Sequence, residues 1–299
     1  MKQLTACPIC SSNHITFSFE APTTRGQDKI LWRVFKCADC GHQFMNPQPS
    51  WDELQPYYNN GYDPYDPNHG SRESDDSAVA EAQRTGKLRH ISIPTGKRLL
   101  DVGCGAGYFL RIAKRLGAVE QGVEPSKYAA SVASQQGLNV FCGTVEDFAK
   151  QTDKRFDVIT SSHVIEHVPD PVATLSAMRS LLAPDGMIWI GVPNAAYPIS
   201  KSLNGRWHSS DLPYHLMHFS PESMARAGEL AGLLVRRQET ESIPFIVEHS
   251  IGQYLRHHWK VPRRLSLGTG ALRGIAKWYA TRSDSMKQGE AILTEFVVA

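Results

Sequence analysis

The chain has 299 residues, of which 41% are hydrophobic and 21% charged, and its formal net charge is +2. This length suits one sizeable α/β core and a smaller second domain, and the small net charge excludes a chain-wide attraction to nucleic acid. No stretch approaches the ~18 apolar residues of a membrane span, and the N-terminus lacks the apolar run of a secretory signal, so we expect a cytoplasmic protein.

Residues 1–49 are rich in Cys, Pro and polar turns, with a short strand predicted over 30–35, and are predicted to form a compact module. Four cysteines fall in two Cys-x-x-Cys pairs, the spacing of a tetrahedral zinc site: Cys7, Cys10, Cys37 and Cys40. The alternatives to a zinc site are a redox-active Cys-x-x-Cys motif or an accidental spacing of the cysteines. Both are disfavoured because the two pairs have the same ligand spacing. Four protein ligands leave no open coordination position, so the predicted Zn²⁺ is structural.

Residues 50–93 are predicted as a linker and a helix. The part from Trp51 to Ser77 is dense in Asn, Asp, Gly, Pro and Tyr, which is typical of a linker. The part from Ala78 to Ile91 has the apolar spacing of one amphipathic helix, which Pro94 ends.

Residues 94–299 alternate apolar strand candidates with helical segments, which indicates a mainly parallel sheet with helices on both faces. Strands are predicted at 98–102, 121–123, 139–142, 156–161, 187–192, 234–237 and 292–298. The residues at about 242–290, between the last two strands, are too many for a plain loop and are predicted to be a helical insertion.

A glycine-rich turn follows the first strand of this region. Its glycines Gly103, Gly105 and Gly107 form a GxGxG pattern, two residues after Asp101. Tyr108 stands where a dinucleotide fingerprint needs its third glycine, which disfavours a nicotinamide-dependent oxidoreductase. Glu124 ends the next strand about 20 residues on, where a carboxylate can accept hydrogen bonds from two ribose hydroxyls.

From Lys97 to Ala299 the chain resembles the class I S-adenosylmethionine-dependent methyltransferases. The resemblance lies in five ordered motifs: 101–107, Glu124, 143–148, 156–168 and 182–187. It implies an α/β, doubly wound sheet of seven strands, the last antiparallel, with S-adenosylmethionine as cofactor. The cofactor-binding residues it implies are Asp101, Gly103, Gly105, Gly107, Glu124, Thr144, Val145, Glu146 and His163.

A zinc ribbon ahead of such a core is similar to bacterial methyltransferases that act on sugars, surface polysaccharide or secondary-metabolite intermediates. By this analogy the acceptor is a small molecule or a saccharide, with a hydroxyl oxygen the expected acceptor atom and nitrogen or carbon left open. A non-catalytic module that senses the cofactor is the alternative. Residues 1–49 lack interleaved basic and aromatic residues, so no nucleic-acid partner is expected.

Two histidine-rich stretches supply the candidates for catalysis, because each follows a strand end at the carboxyl edge of the sheet. They are His163, Glu166, His167, His215 and His218. Packing at the rim is an equally weighted alternative. We predict that His167 is the general base, with His163 its rival.

The same residues could instead ligate a divalent metal, as in the ubiquinone-pathway and small-RNA O-methyltransferases that this stretch resembles. Those enzymes have a carboxylate where this chain has His163, which leaves fewer anionic oxygens for a hard cation. A base without metal is therefore favoured.

The insertion carries a basic amphipathic segment at 256–282. Its cations are Arg256, Lys260, Arg263, Arg264, Arg273, Lys277 and Arg282, with apolar and aromatic residues between them and no acidic residue. Such a run is usually a solvated helical face. The alternative is a lid or a peripheral membrane contact that serves a lipid-linked or anionic acceptor.

Overall fold

A computed structural model describes residues 1–24, 30–58, 75–85, 87–93, 95–203, 207–262, 265, 268 and 270–299. The N-terminal part contains β1 (Ile15–Pro22), β2 (Leu31–Cys37), β3 (Gln43–Met45), α1 (Trp51–Tyr58), α2 (Asp75–Thr85) and a 3₁₀ turn at Lys87–Arg89.

The larger part alternates strands and helices. Its first elements are β4 (Arg98–Val102), α3 (Tyr108–Arg115), β5 (Val119–Glu124), α4 (Lys127–Gln135), β6 (Val140–Cys142), α5 (Val145–Gln151), β7 (Phe156–Ser162) and α6 (Pro171–Ser180). Next come β8 (Leu182–Pro193), α7 (Pro198–Ser202), β9 (Met217–His218), α8 (Pro221–Leu230), β10 (Leu233–Glu241), α9 (Pro244–Trp259), α10 (Gly270–Ser285) and β11 (Ala291–Val298). Two further 3₁₀ turns lie at Ile165–His167 and His208–Ser210.

Within the described residues the large sheet has seven strands in the order β10-β11-β8-β7-β4-β5-β6. The strands β4 to β8 in this sheet run parallel, and β11 pairs antiparallel with both β8 and β10. The predicted doubly wound sheet with an antiparallel last strand is confirmed. The chain crosses to opposite sides after β4 and β7, so a crevice opens between the carboxyl ends of these two strands.

Helices on this sheet begin at residues whose side chains accept the first free backbone N–H groups. Ser126 caps α4, Thr144 caps α5 and Asp170 caps α6. Ser220 forms a reciprocal capping box with Ser223 at the start of α8. Each such cap contributes about 0.5–2 kcal/mol, and together they set where the loops at the carboxyl edge end.

A second sheet has the order β1-β2-β3-β9, so the N-terminal module takes its fourth strand from residues far along the chain. One hydrophobic cluster joins the two parts, with Val34 and Phe44 from the module and Met217, Phe219 and Met224 from beyond β8. The sequence predicted a module with its own boundary at residue 49. In the structure its sheet and core continue into the larger part.

Several local predictions can be compared with the observed elements. The helix predicted over 78–91 is α2 followed by the 3₁₀ turn at Lys87–Arg89. α1 occupies the start of the predicted linker, and residues 59–74 lie outside the described residues.

The predicted insertion contains α9 and α10, which pack together through Val247, Ala276 and Ala280. Pro94, Arg263 and Arg264 also lie outside the described residues.

Candidate functional site

The glycine turn lies between β4 and α3 at the carboxyl edge of the large sheet. Gly103, Gly105 and Gly107 all have left-handed backbone conformations, with φ of 72°, 54° and 87°. A Cβ on Gly103 would collide with the side chain of Val164 in the loop after β7. Glycine is therefore required for the conformation and for the close approach of the two loops.

Glu124 stands beside this turn and is 3% exposed. Its Oε2 accepts a hydrogen bond from the backbone N–H of Gly105 at 3.0 Å, and its Oε1 accepts one from Ser126 at 2.8 Å. Burial raises the pKa of this carboxyl group, and the two backbone donors oppose that shift. A carboxylate has about four acceptor sites, so two remain for hydroxyl donors.

Asp101 is held by a residue that sequence reasoning missed. Lys87, in the 3₁₀ turn after α2, places its Nζ 2.8 Å from Asp101 Oδ1 and 4.1 Å from the centre of the Phe109 ring. Thr160 of β7 donates its hydroxyl to the same carboxylate oxygen at 2.5 Å. No local pattern around Lys87 signals this position, because its turn reaches the glycine loop only through the tertiary fold.

The segment predicted to contact adenine lies at the start of α5. Thr144 caps that helix, Val145 is buried, and Glu146 accepts a hydrogen bond from Thr174 of α6 at 2.6 Å. The Glu146 side chain therefore joins α5 to α6 in this structure. The role of these residues toward adenine stays a prediction.

The predicted histidine cluster assembles at the same edge of the sheet. His167 Nδ1 donates to the backbone carbonyl of Tyr214 at 2.9 Å, and His215 Nδ1 donates to that of Ser209 at 3.0 Å. Because a carbonyl oxygen only accepts, both rings carry a proton on Nδ1. The two ring centroids are 4.7 Å apart.

Glu166 lies under these rings and is 1% exposed. Its Oε1 accepts from His163 Nδ1 at 3.2 Å and lies 3.8 Å from His215 Nε2. Its Oε2 is buried and has no hydrogen-bond partner among the described residues. A carboxylate oxygen of Glu166 and one ring nitrogen each of His167 and His215 lie within 4.8 Å of one another.

The remaining two histidines have different surroundings. His163 has a left-handed backbone with φ 56° and an exposed side chain at the carboxyl edge of the large sheet. His218 lies on β9, is 7% exposed, and its ring contacts that of Phe19 with centroids 6.2 Å apart. The structure therefore brings His163 to Glu166, whereas His218 lies outside the three-residue group.

Burial governs the pKa values of these rings. It lowers the pKa of His167, with the Glu166 charge opposing, and it lowers that of His218 to about 4. The pKa of His215 lies well below its usual value because of burial and the neighbouring histidines. The pKa of the exposed His163 is raised instead, because its partial loss of solvation is outweighed by the hydrogen bond and charge of Glu166.

The family model described as "Methyltransferase domain" matches residues 76–238, which is more than half of the chain. The chain belongs to this methyltransferase family. The match spans the glycine turn, Glu124 and all five candidate catalytic residues.

Curated relatives of this methyltransferase include ubiquinone biosynthesis O-methyltransferases. That of Aeromonas salmonicida is 35% identical over 154 residues, covering 47% of this chain and 64% of the relative. That of Neisseria meningitidis serogroup C is 37% identical over 135 residues, covering 42% and 54%. The methyltransferase thus spans less than two thirds of the length of these relatives.

Two solved structures are similar in fold. One is a chain from the complex between the Haloferax volcanii Trm112 methyltransferase activator and a methyltransferase, at 19% identity and TM-score 0.52, covering 78% of this chain and 97% of that one. The other is a SAM-dependent methyltransferase from Archaeoglobus fulgidus, at 19% identity and TM-score 0.50, covering 77% and 96%. These likenesses support the class I fold.

The four N-terminal cysteines of the methyltransferase also meet. Sγ of Cys7 and Cys40 are 3.6 Å apart, as are those of Cys10 and Cys37, and all four lie within 4.8 Å of one another. A tetrahedral zinc with Zn–S of about 2.3 Å requires sulfurs about 3.8 Å apart. Burial raises the pKa of the Cys7 thiol. Because a cation favours the thiolate, the donor set fits a structural Zn²⁺.

None of the helices within the described residues is long and apolar enough to cross a membrane.

Proposed function

We propose that this methyltransferase transfers the methyl group of S-adenosylmethionine to a hydroxyl oxygen of a small-molecule acceptor. The observation that carries the proposal is the position of His167, whose Nδ1 donates to the carbonyl of Tyr214 and which lies in one cluster with Glu166 and His215. The curated relatives are named as O-methyltransferases, which supports oxygen as the acceptor atom. Transfer to nitrogen or carbon, or cofactor sensing without transfer, are the alternative outcomes.

The cofactor part of the proposal assigns S-adenosylmethionine to the carboxyl ends of β4 and β5, next to the crevice between β4 and β7. The glycine turn permits close backbone approach, and Glu124 accepts from the ribose hydroxyls. Thr144, Val145 and Glu146 would border the adenine, and His163 the methionine end.

The transfer itself needs alignment and removal of one proton. The acceptor oxygen forms its bond to the methyl carbon as the carbon–sulfur bond breaks, which leaves S-adenosylhomocysteine. His167 Nε2 takes the hydroxyl proton, and the nearby Glu166 carboxylate stabilises the resulting imidazolium. Alignment can supply about 7–11 kcal/mol, and a general base about 10²- to 10⁴-fold in rate.

The same cluster also fits a divalent cation, because the buried Oε2 of Glu166 lacks a partner among the described residues. Glu166, His167 and His215 would hold it, and a bound cation would lower the pKa of the acceptor hydroxyl. One carboxylate with two imidazoles suits a transition metal better than Mg²⁺. The base without metal remains our leading proposal, because Glu166 is the single carboxylate of this three-residue group and anionic oxygens are what a hard cation needs.

The test compares His167→Ala with His249→Ala. His249 in α9 makes the same kind of hydrogen bond, from Nδ1 to the carbonyl of Phe245 at 3.0 Å, and does not belong to the three-residue group. Acceptors are screened among phenols and saccharides with S-adenosylmethionine as donor. We expect His167→Ala to lose about 10²- to 10⁴-fold in kcat with unchanged affinity for S-adenosylhomocysteine, and His249→Ala to keep its turnover.

The pH profile and a chelator complete this test. Lowered pKa means that His167 stays neutral until the pH falls below about 6.5, so turnover of the parent should decline only on that acidic side. Near-parental turnover by His167→Ala would overturn the base. A chelator that abolishes turnover of the parent would favour the cation if one condition is met. Reloading the four cysteines with Zn²⁺ must leave the enzyme inactive, and adding a second transition metal must restore turnover.

We further propose that the acceptor is presented at an anionic membrane surface, as a lipid-linked molecule or saccharide of surface-polysaccharide or secondary-metabolite biosynthesis. Residues 243–287 contain eight Lys and Arg but two Asp and Glu, a charge of +6 in a chain of net +2, so the rest carries −4. On α10, Ile275 and Trp278 are 54% and 63% exposed and lie on one face with Arg282. Exposed aromatic and aliphatic residues among cations favour a lipid surface.

Co-sedimentation with vesicles containing phosphatidylglycerol tests this contact. Trp278→Ala should weaken binding several-fold, whereas Trp51→Ala, which removes a Trp that is 52% exposed on α1, should not. Binding that is equal for both variants, or that occurs only with nucleic acid, would contradict the membrane contact.

A further inference from the structure

The N-terminal module is joined by backbone hydrogen bonds to the segment that carries the second pair of histidines, residues 212–218. β3 pairs antiparallel with β9, with Gln43 opposite His218. Met45 N–H donates to the carbonyl of Leu216 at 2.8 Å, and Leu216 N–H donates to the carbonyl of Glu166 at 2.8 Å. A continuous path therefore runs from the module through Leu216 to Glu166.

A second connection lies at the other end of the segment. Thr24 N–H donates to the carbonyl of Leu212 at 2.8 Å, and Leu212 N–H donates to Thr24 Oγ1 at 3.0 Å. Between the two connections, the carbonyl of Tyr214 holds His167 Nδ1. The module thus supports the segment that carries His215 and also the Tyr214 carbonyl that orients His167.

The cofactor half of the site is built differently. The N–H groups of Gly103 and Cys104 donate to Val123 of β5, and that of Gly105 donates to Glu124. These hydrogen bonds lie within the large sheet, on strands that are not paired with β1, β2 or β3. The two halves of the site therefore depend on different parts of the chain.

We infer that the cysteine module acts as an internal scaffold that positions segment 212–218, so that its integrity controls turnover and not cofactor affinity. This inference rests on the proposed function. Zinc binding folds small cysteine modules outright, so loss of the metal removes the backbone partners of Leu212 and Leu216. Displacement of His167 by about 1 Å is then enough to lower the rate about 10²-fold.

Hydrogen exchange on the full chain tests the scaffold without any methyl transfer. Protein stripped of metal with a chelator is compared with zinc-loaded protein, peptide by peptide. We expect protection to fall at 212–218 and 165–167 and to persist at 98–107 and 119–126, with the affinity for S-adenosylhomocysteine changed less than threefold. Unchanged protection at 212–218, or an equal loss in both halves of the site, would overturn the inference.

A pair of neighbouring threonines provides a matched test that leaves the cysteines intact. Thr24→Val removes the acceptor of Leu212 N–H, whereas Thr23→Val removes the acceptor of Trp32 Nε1 inside the module. On the acceptor found by screening, Thr24→Val should lower kcat about 2- to 10-fold, the equivalent of one hydrogen bond, with unchanged cofactor affinity.

Thr24→Ser, which keeps the hydroxyl, should restore that rate, and Thr23→Val should keep it. An equal loss of kcat in Thr23→Val and Thr24→Val would contradict the specific role of this connection. If no acceptor is turned over by any variant, the proposed function fails while the exchange result still decides the scaffold.

Discussion

Replacing Glu124 by alanine tests the cofactor assignment most directly. The change removes a carboxylate that is 3% exposed and that accepts from the N–H groups of Gly105 and Ser126 at 3.0 and 2.8 Å. It also removes the two acceptor sites assigned to the ribose. The variant should therefore lose both cofactor affinity and some stability, and the two losses can be measured separately.

The magnitudes follow from these contacts. A hydrogen bond to a charged group contributes about 1.5–3 kcal/mol, so loss of one net ribose contact weakens S-adenosylmethionine binding about 10- to 160-fold. Each backbone N–H left without a partner costs about 1–3 kcal/mol where water cannot reach it. Because Gly105 is partly exposed, we expect the lower end of that range in the free energy of unfolding.

Calorimetric titration with S-adenosylhomocysteine and urea unfolding measure the two effects. Glu120→Ala is the matched control, because Glu120 is a 6% exposed carboxylate on the same strand whose neighbours are Lys114 and Asn139. It should lower stability without lowering affinity. Unchanged affinity in a folded Glu124→Ala protein would refute the ribose assignment.

Three further predictions concern buried charges and the metal. Lys87→Met should lower the free energy of unfolding by about 3 kcal/mol because Asp101 loses its cation, and adding Asp101→Asn should recover most of it in urea unfolding. Burial raises the pKa of Glu290 to about 7, so the folded state is penalised by ionisation of this group as the pH rises from about 4.5 to 7. Glu290→Gln should therefore stabilise the protein more at pH 8 than at pH 4, by up to about 3 kcal/mol in the free energy of unfolding. An equal change in the free energy of unfolding at both pH values would contradict this. Elemental analysis should find about one zinc per chain, lost in Cys10→Ser and kept in Cys142→Ser, since Cys142 is exposed and outside the module.

Features encoded within a few consecutive residues were predictable from the sequence. The turn from β4 into α3 lies within ten residues, and its glycines report directly on backbone geometry. The two Cys-x-x-Cys pairs are equally local, since each pair wraps one metal. The alternation of strands and helices predicted a mainly parallel sheet with helices on both faces, because parallel strands need crossover connections.

The residues of the histidine cluster could be selected from the sequence, but their contacts could not. The sequence places His167 and Tyr214 47 residues apart, and nothing in either stretch indicates that one holds the Nδ1 proton of the other. The contact of Lys87 with Asp101 and the pairing of β9 with the module's sheet also join segments that are distant in the sequence. Such contacts depend on how segments that are distant in the sequence pack together. The spacing of residues along the chain carries no information about which of these segments meet in space. The amino-acid pattern therefore identified the family and the candidate groups, whereas their pairing arose from the packing of the whole chain.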